Sequence, residues 1–167
     1  MSLLNSKFDI VSVDQPVAVA ALAQVLSVAS PPSPAFNANG TPVAGSIVPG
    51  TIVMMDSTGK AVAASSADVV ASRLDTVAPF VVIDGNADFS GAFTQRLTVL
   101  QGGFTMVTDQ WTSADPATDF AKGKFVSFDA GKIVAATATN QWLGVVGPDG
   151  YSAAEGTVQV IVPQGGF

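Results

Sequence analysis

The chain contains no cysteine and no histidine. Disulfides, thiol chemistry and the usual Cys/His zinc sites are thereby excluded, and any fold must hold without covalent staples. Histidine is also the common general base near neutral pH, so catalysis would have to run on aspartate, serine, threonine, lysine or tyrosine. Charge is scarce as well. Only 12% of the 167 residues are charged, and Glu155 is the single glutamate. Long helices rich in charged residues are therefore not expected. The seven basic residues (Lys7, Lys60, Arg73, Arg96, Lys122, Lys124, Lys132) are scattered, and the net charge is −6. A nucleic-acid footprint needs clustered Lys and Arg, so none is expected. Lys122 and Lys124 approach a hairpin and read as a solvated edge. The apolar run 17–29 is too short to span a bilayer. Asp9 and Asp14 precede it without a positive cluster, which argues against a cleaved signal, and no membrane partner is expected.

Present in quantity are hydrophobic residues at 48%, with 16 glycines and 10 prolines to punctuate them. That is the composition of many short strands around a core. The chain also repeats itself. Residues 46–65, SIVPGTIVMMDSTGKAVAAS, return as 119–137, DFAKGKFVSFDAGKIVAAT. Each copy reads as strand, tight Asp/Gly turn, strand, a hairpin entered through a glycine. Behind the copies follow Phe80-Val81-Val82-Ile83-Asp84-Gly85 and Trp142-Leu143-Gly144-Val145-Val146-Gly147, then Leu97-Thr98-Val99-Leu100 and Val158-Gln159-Val160-Ile161-Val162. The tetrapeptide Gln-Gly-Gly-Phe closes both, at 101–104 and at 164–167. Four matches in one order predict two related β-modules.

The predicted fold class is all-β: two related small β-barrel or β-sandwich modules preceded by an extended N-terminal arm. The arm covers 1–45, the first module 46–108, and a linker with the second module 109–167. Within the arm, 15–30 suits a short helix or an extended segment. Ser30-Pro31-Pro32-Ser33-Pro34 is a polyproline-type spacer that cannot enter a sheet interior. The arm either reaches a neighbouring molecule or folds back on its own domain. In 92–100, Phe93, Gln95, Leu97 and Val99 share one face and Thr94, Arg96, Thr98 and Leu100 the other. Neither face is purely apolar, so this strand is covered on both sides or sits at an interface. Strands are further expected near 124–128, 132–136, 142–146 and 157–162.

No residue pattern calls for a catalytic site, a cofactor or a metal. Asp84, Asn86 and Asp88 have the spacing that opens a calcium loop, but Phe89 stands where its glycine belongs and Gln95 where its bidentate glutamate belongs. An Asx-rich turn is the better reading. Asp56, Asp84, Asp129 and Asp149 are all expected in Asp/Gly turns, where their role is ordinary turn chemistry. Among the aromatics, Trp142 aligns with Phe80 and reads as core. Trp111 and Tyr151, in polar surroundings, read as surface residues for a partner protein or a sugar ring. The contact candidates are Phe8, Ile10, Val11 and Val13 in the arm's alternating strand, Phe36 in its loop, Trp111 and Tyr151.

The texture of 122–136, Leu143-Gly144-Val145-Val146 and 156–162 resembles the capsid cement (decoration) proteins of tailed bacteriophages. Segments 79–84 and 97–104 look similar to the longer members. The likeness covers 46–167. It implies β-modules bound to the outer face of a capsid, with the major capsid protein as partner and self-association as a trimer, or else a dimer. It also implies an N-terminal arm laid on coat protein, a part that 1–45 would play.

Overall fold

The computed structural model describes residues 7–13, 24–27, 47–55, 61–65, 79–85, 96–138 and 142–163. The apolar runs are short and rich in β-branched residues, which suits strands better than helices. Among the described residues they form eleven strands. These are β1 (Phe8–Val13), β2 (Gln24–Ser27), β3 (Ile52–Met55), β4 (Ala61–Ala63), β5 (Phe80–Gly85), β6 (Arg96–Leu100), β7 (Phe104–Thr108), β8 (Phe125–Asp129), β9 (Lys132–Ala135), β10 (Gly144–Ser152) and β11 (Thr157–Val162). One short helix, α1 (Pro116–Asp119), interrupts them. Its proline supplies the fixed φ of a first turn, and the Asp115 side chain caps it by accepting from Thr118 N at 3.4 Å. The all-β expectation holds. Among the described residues no helix is long and apolar enough to cross a membrane.

Two sheets result, and every neighbouring pair of strands is antiparallel. One has the order β4-β3-β5-β6-β2; the other runs β9-β8-β10-β11-β7-β1. Read from the hairpin edge inward, the first five positions match strand for strand. The sequence repeat is thus a topological repeat, and it begins one strand earlier than the hairpins: β2 stands to the first sheet as β7 stands to the second. Two strands, β1 and β2, come from the segment 1–45. β7 falls within the span 46–108 yet pairs with β11 and β1. By sheet membership the changeover lies at Gln101-Gly102-Gly103, where Gly103 N donates to Val162 O at 2.9 Å.

The ladders fix which residues correspond. Val53 pairs with Phe80 in the first sheet, and Val126 with Gly144 in the second. Phe80 therefore corresponds to Gly144, and Trp142 lies two residues outside that match. Leu100 opposes Val81 as Ile161 opposes Val145, which makes Leu100 and Ile161 equivalent. The Gln-Gly-Gly-Phe tetrapeptides are thus two residues out of step with the ladders, and the second of them lies outside the described residues.

The main core joins the two sheets. Ile52, Ala64, Val81 and Leu100 of the first repeat pack with Phe104, Met106, Phe120, Val126, Phe128, Ile133, Leu143, Val146, Val158, Val160 and Val162. Successive strand residues point to opposite faces, so Val53, Phe80, Val82 and Val99 belong to a second cluster on the other side, with Ile47 and Ala61. β6 is accordingly buried on both faces near its end: Val99 in one cluster, Leu100 in the other.

Past β7 the chain meets the far side of the six-stranded sheet. Ile133 N of β9 donates to Gln110 O, and Thr112 N donates to Ile133 O, both at 2.9 Å. This single parallel bridge at Trp111 and Ile133 is short of the strand ladder that closes a barrel. β10 is not continuous either. Val146 faces Val160 while Tyr151 faces Val158, so residues 147–150 loop out opposite Gln159. Gln159 fills that excursion, accepting from Asp149 N at 3.0 Å and donating to Asp149 Oδ2 at 2.7 Å.

The β8–β9 hairpin turns through Ala130 and Gly131 at φ 47° and 79°. Two positive φ values in a two-residue loop match the twist of the flanking strands, and Asn-Gly is the favoured sequence there. Ala130 pays for a left-handed conformation that asparagine tolerates better. Ala130→Asn is expected to stabilise the protein by about 0.5–1 kcal/mol, read as a higher urea midpoint at unchanged slope.

Candidate interaction surface

The sequence-predicted contact residues do not form one surface. Phe8 and Ile10 are half-buried and pack from β1 against the main core. Val11 is 53% exposed, at the irregularity between Ile10 and Ser12 where β1 slips against β7. Val13 pairs with Phe104 at the end of that ladder. Phe36 lies outside the described residues. β1 is held in place at its start: Lys7 N donates to Asp109 Oδ2 at 2.9 Å, Asp109 N returns a bond to Lys7 O at 3.0 Å, and Lys7 Nζ donates to Glu155 O at 2.6 Å.

Trp111 and Tyr151 do come together, but not as an exposed platform. Both are half-buried against the main core. The Trp111 ring meets Phe120 edge-on, with centroids 5.7 Å apart at 72°, and Tyr151 at 5.3 Å and 85°. Its Nε1 donates to Gly156 O at 2.8 Å. Perpendicular rings offer no common flat face for a sugar to stack upon. The polar sequence around Trp111 misleads because the bridge to β9 turns its ring inward.

Trp142 departs from its predicted place in the core: it is 50% exposed. It stacks on Phe125, itself 47% exposed, with centroids 4.1 Å apart and an interplanar angle of 20°. Phe125 was detectable from the pattern alone. Val126 and Phe128 share one face of β8, so Phe125 must point to the other. Across the sheet Phe125 opposes Val145, and Val145 opposes Ile161, which is 36% exposed. An apolar row thus crosses three strands on the outer face, with the aromatic stack at one end. Lys124, next to Phe125 in the chain, is exposed, as are Lys122 and Lys132.

Several carboxylates of the described residues are engaged in hydrogen bonds. Asp129 accepts from Ser65 Oγ at 2.7 Å, Asp119 from Ser113 Oγ at 2.5 Å, and Asp109 from Gln110 Nε2 at 2.7 Å. Asp149, with its Gln159 partner, sits in the strand excursion rather than in a simple turn. No group of three or more potential metal ligands occurs among the described residues. Asn86 and Asp88 of the calcium-like spacing lie outside them. What the arrangement offers is contact area: rigid rings and branched side chains on a braced sheet.

No family model, no curated protein and no solved structure matches this chain.

Proposed function

We propose that the chain is a structural virion protein that binds the outer surface of a phage capsid and stabilises it by non-covalent clamping of coat subunits. The observation that carries this reading is the half-exposed Phe125–Trp142 stack at the end of an apolar row. Large, rigid, amphipathic rings provide contact area at low entropic cost and anchor protein interfaces. The likeness of both repeats to capsid cement proteins supplies the class of partner, the major capsid protein, and the role is a binding one rather than an enzymatic one. Low charge and an apolar outer face suit a protein that works in contact with others. Binding that favours the assembled shell stabilises it by mass action, and many copies on one lattice multiply the effect.

The deciding measurement is the copy number of this chain relative to the major coat protein in purified virus particles. Hundreds of copies in a simple ratio to coat are expected. A handful of copies moves the protein to a tail tube, baseplate or head fibre. Absence from particles overturns the virion reading.

A further inference from the structure

Two Asp-Gly dipeptides occur in the chain, one in each repeat, at Asp84-Gly85 and Asp149-Gly150. The ladders put them in related places. Val82 opposes Val99 as Val146 opposes Val160, so Thr98 and Gln159, each one residue back, are equivalent. The first dipeptide stays in its ladder, with Asp84 opposite Thr98 and Gly85 opposite Leu97. The second leaves its ladder within the excursion 147–150. An aspartyl-glycyl linkage is chemically fragile, because glycine has no side chain to hinder attack by its own nitrogen. In that reaction the Gly150 nitrogen closes on Asp149 Cγ. A C–N bond forms, a C–O bond breaks, and the oxygen leaves as water with the amide proton and one proton from solvent. Water then reopens the five-membered imide at the former main-chain carbonyl. The product is an isoaspartyl linkage, with the main chain running through the Asp149 side chain and no net change in atoms.

We propose that Asp149-Gly150 is a latent isomerisation site and that Gln159 is the positioning residue that keeps it closed. One primary amide spans two groups of Asp149: Gln159 Oε1 accepts from Asp149 N at 3.0 Å, and Gln159 Nε2 donates to Asp149 Oδ2 at 2.7 Å. Both amide atoms sit on one carbon, so the two bonds together hold the carboxylate on the side of Asp149's own N–H. Ring closure needs the opposite. The carboxylate must rotate about Cα–Cβ until Cγ faces the nitrogen of the next residue, and that rotation breaks its bond to Gln159. The restraint is firm because Gln159 is only 4% exposed, and a buried amide left without its partner is costly. Gly150 is buried as well, so its amide proton is poorly accessible to solvent. The backbone here has no slack for the product, which carries one more main-chain carbon. A carbon added at Gly147 would overlap Gln159 Oε1 and stand 3.0 Å from its Cδ; one added at Gly150 would stand 3.3 Å from Lys122 Cγ. The long amide is found where the dipeptide has left the ladder, and the short Thr98 where it has not. No part of this inference depends on a capsid.

The test is the isoaspartate content of the tryptic peptide 133–167, in which Asp149 is the only aspartate. The whole chain is held for several weeks at neutral pH and physiological temperature, then digested. Isoaspartate is read by enzymatic methylation of the peptide and located by electron-transfer fragmentation. The wild-type chain is expected to remain aspartyl in native buffer and to accumulate isoaspartate in guanidinium chloride. Gln159→Leu keeps much of the bulk and loses both bonds. In native buffer it is expected to accumulate isoaspartate at least about tenfold faster than wild type. Circular dichroism checks that the variant is folded; should it fail to fold, Gln159→Thr, which takes the residue found at position 98, is measured in its place. A role in packing alone would lower the urea midpoint and leave isoaspartate at the wild-type level, which overturns the proposal. So does a wild-type chain that isomerises as fast in native buffer as in denaturant, or an unfolded chain that accumulates none. The copy-number measurement is separate from this experiment, and either can fail without the other.

Discussion

Gly131→Ala is expected to cost about 3 kcal/mol, most of it from the loss of fit between the two repeats. Gly131 has φ 79°, which an L side chain adopts at a cost of roughly 1 kcal/mol. A methyl there would also fall 2.8 Å from Thr51 Cγ2, 3.2 Å from Ala63 Cβ and 3.3 Å from Ile52 O. Ile52 O is main chain and cannot rotate away, so the turn must lift. Lifting it weakens both backbone bonds that Gly131 makes to Ile52 and Ala64, and lets water reach the Ile52–Val81–Leu100 row. Gly123→Ala is the matched control. Its φ is 78°, but nothing lies within 4 Å of the added carbon, so only the conformational cost of about 1 kcal/mol is expected. Urea unfolding of the two variants separates strain from packing. Equal losses would mean that the docked turn contributes little, and the module contact would then lie elsewhere. In a chain of this length 3 kcal/mol corresponds to a midpoint lowered by about 6–12 °C.

Gly144→Ala is expected to be of similar size for a different reason. The added carbon would overlap the carbonyl oxygen of Ile161 and stand 3.3 Å from Val160 Cγ1. No rotamer relieves a clash with backbone, so β10 and β11 must separate at Gly144. A loss of about 3 kcal/mol is expected, measured as a lower urea midpoint. The amide of Ile161, which faces Val145 across that ladder, should also exchange faster with solvent, since the ladder opens locally first. Retention of wild-type stability would show that the strands can slide to accept the methyl. Phe80 occupies the corresponding place in the first repeat and is buried there. The two repeats have thus filled the same position in opposite ways, one with a phenyl ring and one with no side chain.

The stack of Phe125 on Trp142 also bears on solubility. An exposed aromatic pair at the end of an apolar row is a liability unless something covers it. The coat protein would do so under the proposed function.

The sequence by itself determined what depends on near neighbours. Composition and short β-branched runs dictated an all-β chain. The repeated Asp/Gly hairpin sequences dictated two related modules, and the β8–β9 turn shows why such a mark is readable: a two-residue loop with positive φ admits few residues. The strand near 157–162 follows from period-two patterning, and so does the mixed character of both faces of 92–100, which left cover on both sides or an interface as the alternatives. Tertiary structure decided the rest. Two apolar faces on one strand look alike in sequence, since the period of two is the same whichever face turns inward. Ile52 and Phe125 hold equivalent places, and only the docking of the second repeat on the first buries one and leaves the other open. Trp142 is at the surface for a different reason: the ladders pair Phe80's place with Gly144, so Trp142 lies two residues outside the buried position that the sequence match assigned to it. Trp111 went the other way because a single bridge to Ile133, far away in sequence, turned its ring toward the core. Local signals fix turns and strands, whereas exposure is set by partners that the chain brings together only when it folds.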